Sequence, residues 1–367
     1  MRKVTLIRGA RQLLTLRGPS GPRRGTDLRN LGIIEDGAVL IADGVILEVG
    51  PTRRLENLAL ARGAEEIDVS GSVVLPGFVD SHVHVVRVAA QEQSPRALRT
   101  MALRVLDEAV PCGTTALEVK SGQALTEAAK LKILRVQAAL GELPLTLVST
   151  FLAEGGAAVF GERLLPAVRR RKLAQFAEMG RQAEACRFLT LARELGLGVK
   201  VCDGAIAMAA ELGATAVDDV LDATERDAML LSQSQTVATL SAVAGFDARD
   251  RRYAPARMLI EHGAAVALAS GRDTDSPNMQ MTVALACRAM HLTPAEAIAA
   301  ATINGAHAMR RAGSIGSIEA GKSADLIVLG LADYRELPYH FGVNLANLVM
   351  IRGRVLAQKS EVQWPAR

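Results

Sequence analysis

Apolar and polar positions alternate in three different ways along this 367-residue chain. Over the first seventy residues the apolar runs are short, β-branched and broken by turns. Ala38–Pro51, "AVLIADGVILEVGP", reads as two strands joined by Asp43-Gly44, a hairpin dipeptide. Arg17–Gly25, "RGPSGPRRG", is a Gly/Pro loop between strands. From Val73 the pattern changes: apolar runs of four to eight residues alternate with amphipathic helical stretches, as in βα units on a parallel sheet. The expected strands lie in "VVLPGFVDSH", "TTALEVKSG", "LTLVSTFL", "LAQFAEMG", "GVKVCDG", "ATAVDDV", "TVATLS" and "AVALASG". Glu184–Gly196 predicts a helix ending at a glycine, and Thr293–Met309 one opening with a Thr293/Glu296 capping box. The last fifty residues return to strands, "GSIEAGKSADLIVLG" and "NLVMIRGRVLAQ".

Eight βα units suit a TIM-type (β/α)8 barrel, an α/β fold. The prediction is a barrel over residues 71–311, inserted into a small β-sandwich made of residues 1–70 and 312–367.

Composition narrows the function classes. The chain is 49% hydrophobic, 22% charged and only 3% aromatic, enough for a sizeable aliphatic core. A net charge of +4 is a mild excess of arginine, not the footprint of a nucleic-acid binder. The basic run Arg169–Lys172 reads as the solvated end of a helix. Cys112, Cys186, Cys202 and Cys287 form no CxxC pair, which points to a reducing compartment without a disulfide framework. The N-terminal residues lack the pattern of a signal peptide, and no apolar run is long enough for a bilayer. These features predict a soluble cytoplasmic protein with no nucleic-acid or membrane partner.

Chemistry concentrates where barrel strands end. His82 and His84, in "LPGFVDSHVHVVR", sit one residue apart, so in an extended strand both imidazoles face one side and can share a metal ion. The fifth strand contributes Cys202 and Asp203, the sixth Asp218 and Asp219, and the eighth leads into Asp273. A third metal ligand has to come from Cys202 or a carboxylate, and His82/His84/Cys202 is a chemically sensible zinc set. A buried free cysteine is equally an ordinary packing residue. Lys120 reads as a structural lysine paired with a strand-end carboxylate.

"LPGFVDSHVH" resembles the first-strand signature of the amidohydrolase superfamily. "GTTALEVKSG", "ARELGLGVKV", "LTPAEAIAAATINGAHAM" and "DYRELPYHFGVNL" resemble the imidazolonepropionases from about residue 35 onward. The resemblance implies a barrel with a flanking β-sandwich, one zinc or iron ion, a homodimer, and a small-molecule substrate. The implied reaction belongs to histidine degradation: hydrolytic ring opening of imidazolone propionate to formiminoglutamate.

Carried over residue by residue, the resemblance makes His82 and His84 metal ligands. It sets Cys202 where the family has a fifth-strand histidine, Ala205 at an acidic position, Asp219 at a sixth-strand histidine and Gly271 at a metal-binding aspartate. Asp273 falls at a substrate-binding asparagine, Gly155 at a third-strand histidine, Gln123 at a tyrosine, and Arg87 nearest to a substrate arginine. Two outcomes follow. One is a hydrolase with an altered metal site of His82, His84 and Cys202, with Asp219 and Asp273 as acid/base groups and Arg87 and Gln123 on the substrate. The other is a catalytically inactive chain, holding no ion, that binds a metabolite or joins an active relative in a hetero-oligomer. A metal-free enzyme with Cys202 as nucleophile is a third, weaker reading, because Asp203 beside it would raise the thiol pKa.

Overall fold

The structure is a computed structural model; it describes residues 3–86, 92–122, 126–154, 157–247, 252–271 and 277–359. Both chain ends build one mixed sheet. Its strands are β1 (Val4–Leu14), β2 (Ile33–Ala42), β3 (Val45–Pro51), β4 (Glu65–Asp68) and β5 (Val73–Pro76). Then follow the barrel strands: β6 (Phe78–Val83), β7 (Thr114–Lys120), β8 (Thr146–Leu152), β9 (Phe176–Met179), β10 (Gly198–Val201), β11 (Ala216–Val217), β12 (Val237–Ser241) and β13 (Ala265–Ala269). The chain returns to the first sheet through β14 (Leu326–Leu329), β15 (Ala346–Ile351) and β16 (Arg354–Gln358).

The terminal sheet runs β16-β15-β14-β5-β1-β2-β3, with β4 beside β1. Ile7, Leu13, Val39, Ile41, Val74 and Leu326 share its core. The β2–β3 hairpin turns at Asp43 (φ +51°) and Gly44 (φ +82°), the left-handed pair that a two-residue turn requires. The run expected as a single strand, "VVLPGFVDSH", divides instead at Gly77. Val73–Pro76 pairs with β1 and β14, while Phe78 onward pairs with β7. Two features mark the break: Pro76 has no N–H to donate, and the chain passes so close to Thr115 at Gly77 that a Cβ there would meet Thr115 Oγ1 at 2.0 Å.

β6 to β13 run parallel in sequence order, the eight-stranded (β/α)8 sheet that the βα alternation predicts. The seam between first and last strands carries one parallel bridge, Val83 to Gly271, and a backbone hydrogen bond from Gly271 N to His82 O at 3.1 Å. Side chains reinforce it: Asp80 accepts from Ser270 N at 3.0 Å and from Ser270 Oγ at 2.5 Å. Helices cover the outside. The Ala185–Glu194 helix ends before Gly196 at φ +79°, and Thr293 and Glu296 form the expected capping box, but the single helix expected over Thr293–Met309 is two, Pro294–Ala300 and Ile303–Ala308, broken at the non-helical Thr302. Arg169 and Arg170 are exposed at the end of the Ala157–Arg170 helix.

The lumen is filled in layers because side chains alternate along each strand. At the bottom, Val79, Ala116, Val148 and Phe176 pack against Ala306, Met309 and Ile315, so the helix Ile303–Ala308 and the turn after it plug that end. Two residues further along the strands, the same inward face carries Glu118, Thr150, Glu178 and Lys200. Ligand access is therefore left to the C-terminal mouth, where His82, Asp218 and Gly271 lie. Among the described residues, no helix is long and apolar enough to cross a membrane.

Candidate active site

The lumen beneath the mouth is an unusually dense set of buried charges. Glu118, Lys120, Glu178 and Lys200 are fully buried. Lys120 Nζ contacts Asp218 Oδ2 at 2.8 Å, Glu118 Oε1 at 2.9 Å and Glu178 Oε2 more closely still. Lys200 closes on the other oxygen of Glu118, and Thr150 Oγ1 donates to Glu118 Oε1 at 2.5 Å. Charges without water survive only when paired and hydrogen-bonded, and these strands supply both signs. Burial disfavours the Lys120 ammonium, but Asp218, Glu118 and Glu178 outweigh it and hold its pKa well above normal. Burial likewise pushes Glu178 up to about 7, against the pull of Lys120.

One carboxylate links this network to the histidines. Asp218 Oδ2 also lies 2.7 Å from His82 Nδ1. Burial opposes ionisation of Asp218, yet Lys120 and His82 keep it well below the usual carboxylate range. An ionised Asp218 only accepts, so Nδ1 of His82 carries the hydrogen. Burial works against the His82 imidazolium, and the charge of Asp218 more than offsets it, leaving the pKa above its ordinary value. Nε2 of His82 is left facing Nε2 of His84 at 3.3 Å. A carboxylate on one ring nitrogen orients the other for proton transfer or for ligation.

Beside the pair is a cavity of about 290 Å³, lined by His82, Asp203, Asp218, Asp219, Thr239, Ser241, Ala244 and Gly271. Asp203 and Asp219 sit at its exposed rim in left-handed conformations, φ +56° and +59°. Such backbone is uncommon outside glycine and clusters at functional sites. At the floor, Asp218 Oδ1 and Thr239 Oγ1 are buried with no hydrogen-bond partner among the described residues.

The expected site residues therefore part company. His82 and His84 meet, and Asp219 lines the cavity. Cys202 is buried, does not line that cavity, and its thiol is pushed up by burial and by Glu178 and Asp203, which favours the protonated form. Ala205 packs in the apolar core. Arg87, Gln123, Asp273 and Gly155 lie outside the described residues. Lys120 is paired with a strand-end carboxylate. Sequence reading passed over Glu118, Glu178 and Lys200. The available signal was charge recurring at every second position of strands covered on both faces.

Among the described residues, the donor set is incomplete for a resident metal. Among the described residues, no group of three or more His, Cys, Asp or Glu side chains is arranged to hold an ion. The eighth-strand position offers no carboxylate: Gly271 stands there with φ +98°, and a Cβ on it would meet Ser241 Oγ at 1.8 Å unless that hydroxyl turned away.

Comparison with known proteins agrees with the architecture. The Amidohydrolase family model matches residues 189–356. The imidazolonepropionase of Alkaliphilus metalliredigens is 31% identical, covering 97% of this chain and 99% of that protein. Those of Symbiobacterium thermophilum and Parabacteroides distasonis are 35% and 36% identical, covering 99% and 95% of this chain and 100% and 98% of theirs. Among solved structures, the guanine deaminase of E. coli superposes with a TM-score of 0.75 at 14% identity, over 98% of this chain and all of that one. A zinc-bound adenosine deaminase from Xanthomonas campestris gives 0.72 at 17%, over 96% and 93%. The structural likeness concerns the fold alone, whereas the sequence identity extends over whole chains: this protein belongs to the imidazolonepropionase family of amidohydrolases.

Proposed function

We propose that the chain hydrolyses a cyclic amide C–N bond, with imidazolone propionate as substrate and formiminoglutamate as product. The observation that carries this reading is the His82–Asp218 pair, with Nδ1 and Oδ2 2.7 Å apart, beside the cavity at the barrel mouth. A neutral His82 with Nδ1 held by Asp218 can take a proton from water at Nε2 while the oxygen adds to the ring carbonyl. The C–N bond then breaks, and the departing ring nitrogen takes that proton from His82, with Asp219 at the rim as the sequence-derived acid/base partner. Arg87, Gln123 and Asp273 are the family-derived candidates for holding the substrate or sharing the acid/base work. A zinc or iron ion, where the family has one, would find the two imidazoles and, on the sequence expectation, Cys202. No step is assigned to it, because the described side chains do not complete a centre. The same reading makes the chain a cytoplasmic homodimer in histidine degradation.

A second reading has its own support. Gly271 in place of a carboxylate at the eighth-strand end, and Cys202 buried away from the cavity, support a catalytically inactive chain that binds a metabolite or joins an active relative in a hetero-oligomer.

Ring opening by the purified chain, followed by loss of substrate absorbance, separates the two. The hydrolase reading expects turnover that falls by about 10²–10⁴-fold in His82→Ala, the usual contribution of a general base. Folded protein without turnover, or turnover indifferent to His82→Ala, overturns it.

A further inference from the structure

The cavity at the barrel mouth has a chemical character that the His82–Asp218 pair does not account for. Its described lining holds three aspartates and one imidazole, and neither lysine nor arginine. Two of its polar atoms are anomalous. Buried acceptors and hydroxyls are almost always hydrogen-bonded, because leaving one unpaired is costly. Yet Asp218 Oδ1 and Thr239 Oγ1 have no partner among the described residues, while both side chains are at least nine-tenths buried and border the same cavity.

The two oxygens of Asp218 are thus used differently. Oδ2 is held by Lys120 and His82, which fixes the carboxylate plane and leaves Oδ1 to the cavity. Asp203 and Asp219 add negative charge at the rim. Glycine at position 271 leaves the cavity unfilled from that side. At about 290 Å³ it lies just under the range of roughly 300–1,000 Å³ typical of small-molecule sites, so it suits a small group.

We propose that this cavity is a subsite for a small planar organic cation with at least two N–H donors, an amidinium or guanidinium, that donates to Asp218 Oδ1 and Thr239 Oγ1 beneath the Asp203 and Asp219 rim. A carboxylate group entering here would meet like charge from Asp218, Asp203 and Asp219. The formimino group of the proposed product is such a cation when protonated, so the inference deepens the hydrolase reading at the same site; binding does not require turnover, and its test can fail while turnover stands.

Three isosteric probes isolate the charge: acetamidinium, acetamide and acetate, titrated against the metal-free full-length chain by ligand-observed NMR. The expected result is saturable one-to-one binding of acetamidinium, about tenfold tighter than acetamide, since charge-assisted hydrogen bonds are roughly twice as strong as neutral ones. Acetate should not compete. Thr239→Val, which keeps the shape and removes the hydroxyl, should weaken acetamidinium about fivefold, the effect of one ordinary hydrogen bond. Ala244→Leu, which fills the cavity from its lining, should abolish binding with the far-UV spectrum unchanged. Absence of saturable binding, equal affinity for acetamide or acetate, or binding that survives Ala244→Leu in folded protein would overturn the proposal.

Discussion

Lys120 Nζ and Asp218 Oδ2 are 2.8 Å apart at the centre of the barrel, and that same oxygen orients His82. Lysine, carboxylate and imidazole therefore form one relay from the buried charge layer to the mouth. Replacing Lys120 by methionine keeps much of the volume but strands Glu118, Glu178 and Asp218. Breaking one partner out of a buried pair costs about 3–5 kcal/mol. Chemical denaturation of Lys120→Met should show a loss of that order. The double variant with Asp218→Asn should lose less than the sum of the two single changes, because the partners share one network.

Gly271 and Ser241 make a second coupled pair. Alanine at 271 faces two penalties: a left-handed backbone at φ +98°, and a Cβ 1.8 Å from Ser241 Oγ. Strained backbone of this sort costs about 1–3 kcal/mol. Gly271→Ala should be destabilised by at least that much in urea unfolding. Ser241→Ala in the same chain should recover the steric part and leave the backbone part.

Lys130 gives a pH signature. Its ammonium is buried against Ser121 Oγ at 3.2 Å, Leu152 O at 2.8 Å and the carbonyl of Gly122, and burial pushes its pKa from 10.5 down to about 7. Between those values the unfolded chain binds the proton that the folded chain has released. The unfolded state holds more protons, so this group's contribution to stability rises with pH from about 7 to about 10.5 and is lost as pH falls back towards 7. The slope is at most about 1.4 kcal/mol per pH unit. Lys130→Met should flatten that slope in denaturation curves taken across the window; an unchanged slope would assign it elsewhere.

The barrel and the histidine pair were legible because each rests on a short-range period. Eight apolar runs separated by helical stretches specify parallel βα units, and His-x-His on a strand specifies two rings on one face. The break at Gly77 was less visible, since "VVLPGFVDSH" is apolar across a point where the chain changes sheets. Neither Gly77's contact with Thr115 nor Gly271's with Ser241 follows from local pattern: each joins residues at least thirty positions apart. The buried ions were misjudged for a different reason. Glu118, Glu178 and Lys200 look like solvent-facing alternates in a strand, and only closure of the sheet turns their face inward, whereas Lys120 was read as paired with a strand-end carboxylate. Their pairing depends on which strands become neighbours. Asp218 and Asp219 are adjacent in sequence, but they follow the end of β11, and the left-handed turn at Asp219 (φ +59°) leaves it at the exposed rim while Asp218 stays buried in the lumen.

The clasp between Asp80 and Ser270 bears on how the molecule breathes. Where the first and last staves of the barrel meet, a single bridge and a carboxylate–hydroxyl latch stand in for a continuous ladder. Amide deuteration along that join should outpace deuteration across the interior ladders, such as β12 with β13. The stave bearing both imidazoles is thus also the one best placed to swing.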